Sequence, residues 1–338
     1  MFKIKKIITV LTITLLILSS FGQVIFAEEK KLSKSEMYEL LGFSKEDIKE
    51  IKEKHHENSK IHFKDKDFAK LKLKNNDILQ LANLGFTKKR IASFTLTDWE
   101  NVKDRKNAEL INVGVTYVKV DGETGEYIES TKEAYEEYLI NQVEVNEVSA
   151  SLCDPDTTCS GENSSEGWIL LTVSVTHSSK YSIITDFEWL TMPTDRHTDV
   201  FGTGHKENVI VEYSTTFGSY QTNYKDTYGN HATSKTTYFG AADRSDGVGY
   251  YHKFNMHPEW YQYNGNWTQA YSDSGYTFAD FYWQNTYDTA SSAYGNYTHV
   301  STSWEYGFEV AYPYSVALAI NNTTKDNTAP NAAVSFSR

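Results

Sequence analysis

Beyond its first 27 residues the chain has no apolar run long enough to cross a bilayer, so no helical membrane span is expected in the mature protein. It has only two cysteines, too few for a structural zinc site, which wants four ligands. Gly-x-Ser-x-Gly is missing, which removes the nucleophile elbow. His-Glu-x-x-His is missing too: His252 and His257 stand five apart without the glutamate of a metalloprotease helix. Asp273-Ser274-Gly275 has Ser272 and Tyr276 where a serine-protease nucleophile loop carries glycines. Basic residues are scarce. Residues 28–338 hold 30 Lys+Arg against 45 Asp+Glu, a balance of −15, and residues 151–338 hold only 9 against 20. An acidic surface repels phosphate backbones, so nucleic acid is not an expected partner. Neutral ligands, cations or a basic partner are favoured.

What is present begins with an export signal. Lys3, Lys5 and Lys6 precede an apolar stretch from Ile7 to Phe21, and Ala27 stands before the charged run Glu28-Glu29-Lys30-Lys31. That is the layout of a secretory signal peptide over residues 1–27. An uncleaved anchor is the alternative, but about 15 apolar residues fall short of the roughly 20 that span a bilayer. Cleavage after Ala27, or within a few residues of it, predicts a secreted, extracellular chain. Cys153 and Cys159 lie close together in an exported chain, and one disulfide around a tight loop is expected. So small a loop adds about 2–3 kcal/mol at best.

Residues 28–110 read as a helical module. Leu41-Gly42-Phe43-Ser44 and Leu84-Gly85-Phe86-Thr87 repeat one pattern. The glycine can end a helix in the left-handed region, and the hydroxyl residue can cap the next helix. Phe43 with Ile48, and Phe86 with Ile91, have hydrophobic-staple spacing. The module reads equally as an interaction device or as a pro-region or spacer. Residues 111–148 predict a hairpin and a short helix opened by Ser130-Thr131-Lys132-Glu133. Residues 149–167, rich in Ser, Asp, Asn and Gly, predict a disulfide-containing linker.

From Trp168 onward the composition turns to β. Nineteen of the 24 tyrosines and six of the seven tryptophans lie there, and these residues suit a pleated, half-buried surface. Ile169, Leu171, Val173 and Val175 alternate along a first strand, and Ile183, Phe187 and Trp189 along a second. Trp260-Tyr261-Gln262-Tyr263-Asn264-Gly265-Asn266-Trp267 carries an Asn-Gly hairpin signal. The expected fold is α+β: a small N-terminal helical module, then a large antiparallel all-β sandwich over residues 168–338.

Four sets of residues stand out as candidate sites. Trp260, Tyr261, Tyr263 and Trp267 crowd one hairpin, where exposed rings beside Asn and Gln would hold a neutral glycan or a protein surface. Cross-strand packing is the commoner use of such rings. Asp186 and Glu188 share a face of a predicted strand, about 6.5–7 Å apart. That separation is within the range of paired glycosidase carboxylates, although alternating acids usually mark a solvated face. Asp243-Arg244-Ser245-Asp246-Gly247 resembles a Ca²⁺-binding turn but lacks a full loop, so no metal or other cofactor is assigned. His205 follows Gly202-Thr203-Gly204 on a predicted loop.

The stretch from Glu188 to Gly202 contains Trp189, Pro193, Arg196 and Asp199 in a Trp-x-x-x-Pro-x-x-Arg-x-x-Asp arrangement. With the two Leu-Gly-Phe-Ser/Thr corners, it resembles a family of uncharacterised secreted proteins of Firmicutes, which are Gram-positive bacteria. The resemblance covers residues 168–215 and the corners, and it implies architecture, not activity. Physically, Trp189 reads as a core anchor and Pro193 as the stop of its strand. Arg196 and Asp199, three apart, read as a loop clamp. The functional expectation is a non-catalytic binding or surface-interaction module. The alternatives are a pore-forming β-protein, drawing on the Ser/Thr-rich run from Tyr213 to Tyr238, and a hydrolase using Asp186, Glu188 or His205.

Overall fold

The two repeated corners form as their residues dictate. In the computed structural model, α1 (Lys34–Leu40) ends at Gly42 with φ +83°, and α2 (Lys45–Glu53) starts from the capping box of Ser44 and Asp47. The second corner joins α3 (Asn75–Asn83) to α4 (Lys88–Ala92) through Gly85, φ +89°, with the Thr87 hydroxyl accepting from the Arg90 N–H at 3.0 Å. Phe43 and Phe86 donate their N–H groups back to Tyr38 and Leu81, which completes a Schellman motif at each corner. Both rings are buried, and the corners meet where the Lys88 N–H donates to the Leu41 carbonyl at 2.8 Å. The last short helix of this layer is α5 (Leu96–Val102).

The structure describes residues 32–54, 56–60, 73–121, 127–141, 167–193, 196, 198–244, 249–300, 307–311, 315–319, 327–328 and 331–338. The expected signal peptide over 1–27 and the expected Cys153–Cys159 disulfide lie outside them.

The strands are antiparallel throughout. β1 (Glu109–Val120), β2 (Tyr127–Ser130), β3 (Gly167–His177), β4 (Tyr181–Thr191), β6 (Val209–Val211), β7 (Phe217–Lys225), β8 (His231–Phe239), β11 (Trp260–Tyr263) and β12 (Asn266–Trp283) make a nine-stranded sheet. Its order is β2-β1-β3-β4-β12-β7-β8, with β6 and β11 also paired to β12. The second sheet, six-stranded, comprises β5 (Thr198–His205), β9 (Asp243–Arg244), β10 (Gly249–Asn255), β13 (Ala290–Val300), β16 (Asn327–Thr328) and β17 (Ala332–Ser337). β14 (Gly307–Ala311) pairs with β15 (Ser315–Ala319). Residues 132–141 are helical.

One apolar core lies between the two sheets, where Ile169, Leu171, Val173, Ile183 and Phe187 meet Phe201, Tyr250, Tyr297 and Val334. Trp189 is buried, and its indole N–H donates to the Tyr297 hydroxyl at 2.8 Å. A second core lies on the other face of the large sheet. There Leu41, Phe43, Ile78, Leu81, Phe86 and Phe94 pack on Val113, Ile184, Tyr276 and Phe278. The molecule is therefore helices on sheet on sheet, an α+β fold with the centre of the large sheet buried on both faces. Residues from Leu32 to Arg338 make one compact unit. The hairpin expected over residues 111–148 is continuous with that unit. β1 pairs with β3 from Glu109 to Val120, and the Asn112 amide donates to the Ser335 carbonyl at 2.7 Å.

Three carboxylates tie the helical layer to the sheet. Asp186 accepts from Arg90 Nε at 2.7 Å, and Asp98 from the Tyr276 hydroxyl at 2.7 Å. Asp280 takes both guanidinium nitrogens of Arg105, at 2.6 and 3.1 Å, and the Ser182 hydroxyl at 2.7 Å. Each is a charge-assisted contact with a buried or half-buried partner, geometry that holds orientation as well as energy.

Candidate functional site

The hairpin of β11 and β12 forms around Asn264 (φ +50°) and Gly265 (φ +82°). Positive φ at both central residues is the type I′ turn that matches the twist of paired strands. The register places Trp260 opposite Gln269 and Gln262 opposite Trp267. Because side chains alternate, Trp260, Gln262, Trp267 and Gln269 share one face, with the two tryptophans as diagonal neighbours. Trp260 is 52% exposed and Trp267 59%. The opposite face is spent on packing. Tyr261 lies 5.4 Å from the Tyr224 ring, and Lys235 Nζ sits 4.6 Å over it. The expected aromatic set thus divides, the tryptophans outward and Tyr261 inward.

The β7–β8 turn stands at the same end of the sheet, since Gln269 pairs with Lys225. Asp226 Oδ1 accepts from the Tyr228 and Asn230 N–H groups, both at 2.9 Å, and the ring of Tyr228 is almost wholly exposed. The run Tyr213 to Tyr238 supplies this hairpin, and β7 lies between β12 and β8 with Tyr220 and Tyr224 buried.

Behind the aromatic end the sheet is braced by Asp273. It accepts from Thr222 Oγ1 at 2.5 Å, from the Tyr220 hydroxyl at 2.6 Å and from Arg196 Nη2 at 2.8 Å. Arg196 Nη1 also stands 2.6 Å from its other oxygen. Arg196 Nε donates to the His257 carbonyl at 2.6 Å. The loop clamp expected between Arg196 and Asp199 is thus made to Asp273. Asp199 sits on β5 and accepts from the Tyr297 hydroxyl. The two part because β5 carries Asp199 into the second sheet, while Arg196, ahead of that strand, reaches across to β12. Pro193 lies two residues past the end of β4 at Thr191. Burial, the largest cause, takes His257 down to about 4.

His205 belongs to the end of strand β5, opposite Ala293, and not to a loop. It is buried, its Nδ1 lies 2.9 Å from the Lys206 carbonyl, and burial holds it below the ordinary histidine value. The neighbouring Lys206 N–H bonds to Ser292, and β6 just beyond pairs with Trp283. His205 and the aromatic hairpin are therefore at opposite ends of β12. The structure does not bring them together.

Asp186 and Glu188 do share a face, but not a solvated one. Both are buried beneath α4, Asp186 against Arg90 and Glu188 against Lys89. Burial pushes the Asp186 carboxyl up, with Arg90 pulling the other way. They floor a cleft of about 710 Å³ between the helical corners, β1 and the start of the 132–141 helix. Sequence spacing did not signal this cleft, because its walls come from five separated segments. Among the described residues no group of three or more His, Cys, Asp or Glu is placed to hold a metal. Of the Ca²⁺ turn, residues 245–247 lie outside the described residues.

These features define an antiparallel β-sandwich capped on one face by helices, with exposed tryptophans at one end. No family model matches the sequence, and no curated protein matches it. Solved structures similar to it include manganese lipoxygenase of Gaeumannomyces graminis with a partial zonadhesin of Komagataella pastoris. The identity there is 10%, over 51% of this chain and 63% of that one, with a TM-score of 0.17. Another is the collagen adhesin (CNA) from S. aureus, 6% identical over 50% of this chain and 65% of that one, TM-score 0.14. The chain spans less than two thirds of either. Overlaps this loose carry no argument about activity.

Proposed function

We propose that this chain is an exported binding module that takes a neutral glycan on the tryptophan face of the β11–β12 hairpin. The observation that carries it is the pair Trp260 and Trp267, half-exposed on one face beside Gln262 and Gln269. Flat indole rings stack on the apolar faces of sugar rings, and neighbouring amides hydrogen-bond the hydroxyls. A type I′ turn and the packing of Tyr261 beneath it hold the hairpin in place, so little ordering entropy is lost on binding. The acidic charge of the chain disfavours anionic polymers and leaves neutral ones.

The carboxylates that would serve a hydrolase are each engaged by a cation, which supports binding over bond cleavage at the cleft. The test is a panel of neutral and anionic polysaccharides against the intact protein and a Trp260→Ala/Trp267→Ala variant, read by calorimetry. Binding of a neutral glycan that falls at least tenfold in the variant, with an unchanged circular dichroism spectrum, is the expected result. Equal binding by both proteins, or capture of a protein ligand alone, would overturn the reading.

A further inference from the structure

The cleft under the helical corners is a second site, remote from the tryptophan face in its residues and its chemistry. Leu41, Val115 and Leu170 give it an apolar wall, Tyr117 an aromatic one, and Asp186 with Glu188 its floor. At about 710 Å³ it falls within the size range of small-molecule pockets. The two floor carboxylates are neutralised differently. Asp186 is held by Arg90, whose side chain is 2% exposed, in a fixed internal pair. Glu188, with its side chain 10% exposed, is met by Lys89, a long side chain that is 58% exposed and reaches in from solvent.

A buried carboxylate needs a cation, but it does not need that one. A lysine that reaches in from solvent loses rotamer freedom to make the contact, so a competing ammonium has little to displace. We propose that the cleft binds a small alkyl ammonium compound, whose charged head replaces Lys89 at Glu188 and whose chain lies along Leu41, Val115 and Leu170. Tyr117, beyond Leu170 from Glu188, closes the far end of the path for the alkyl chain. The other lysines of the lining, Lys88 and Lys132, are paired with Asp47 and Glu136, so an anion would have to break one of those pairs, and a neutral molecule would leave Glu188 with its own lysine. The net charge of −12 also draws cations toward the molecule.

Isothermal titration of the whole protein with hexylammonium, hexanol and hexanoate tests this. Hexylammonium should bind, with hexanol and hexanoate at least tenfold weaker. Glu188→Gln should weaken hexylammonium at least tenfold. Lys89→Met, which removes the internal competitor, should tighten it several-fold. The Trp260→Ala/Trp267→Ala variant should bind it as the parent does, so the two sites stand or fall separately. No binding of hexylammonium, hexanoate binding as well as the amine, or an unchanged affinity in Lys89→Met would each overturn the proposal. If Glu188→Gln does not fold, the Lys89→Met and hexanoate arms still decide.

Discussion

Replacing Arg90 by methionine removes the partner of Asp186 while keeping most of the aliphatic volume of the side chain. In the parent, Arg90 Nε donates to Asp186 at 2.7 Å, its guanidinium lies 5.4 Å from the centre of the Tyr276 ring, and both charged groups are buried. Removing one member of a buried pair strands the other, at a cost of about 3–5 kcal/mol. That is a large fraction of the roughly 5–15 kcal/mol that stabilises a typical domain. For a chain of this size it corresponds to a fall in Tm of roughly 5–8 °C. Thermal melts followed by circular dichroism at pH 7 would measure it. The double variant Arg90→Met/Asp186→Leu removes both charges and should return most of the loss, because a packed apolar pair replaces a desolvated ionic one. The single variant should also recover as pH falls, since protonating Asp186 removes the stranded charge. A loss below about 1 kcal/mol, or one unchanged between pH 7 and 4.5, would refute the view that this pair fastens helix to sheet.

Asp273→Ala should cost about 3–5 kcal/mol, because the buried Arg196 guanidinium loses both of its carboxylate contacts; urea denaturation would report it. Gly265→Ala should cost about 1 kcal/mol, since a Cβ is strained at φ +82°, and should weaken glycan binding with it. His252 is taken down to about 4 by burial, so it is neutral in the fold while the unfolded chain gains its proton below about 6.5. Its contribution is fully present above pH 6.5 and is lost as pH falls toward 4, in total about 3 kcal/mol. His252→Gln should make the decline in stability from pH 7 to 4 correspondingly shallower.

The local devices were legible in the residues. Gly42, Gly85, Ser44 and Thr87 announce two corners, Asn264-Gly265 announces the hairpin, and the alternation around Trp189 announces a core strand. What was not legible is the second covering of the large sheet. Asp186 and Glu188 alternate with apolar residues as acids on a solvated face would, because strand period reports two faces without saying what lies over either. Ser174, Thr176 and Ser182 share that face and are buried although their side chains are polar. Arg90 stands 96 positions from Asp186, and Arg196 stands 77 from Asp273, separations over which no spacing rule applies. Arg196 and Asp199 stand three apart in sequence, yet one pairs with Asp273 of β12 and the other with Tyr297 of β13.

The helices and both sheets pack as one compact body, which should unfold cooperatively. The direct measurement is urea unfolding of residues 28–338, with helix followed by far-ultraviolet circular dichroism and the cores by tryptophan fluorescence. Trp99 reports the helical layer, and Trp189 reports the space between the sheets. The structure predicts coincident transitions, and it predicts that a chain beginning at Glu109, with Ile184, Tyr276 and Phe278 uncovered, binds a hydrophobic dye. Two separated transitions, or a shortened chain that unfolds at the same urea concentration as the parent, would contradict it.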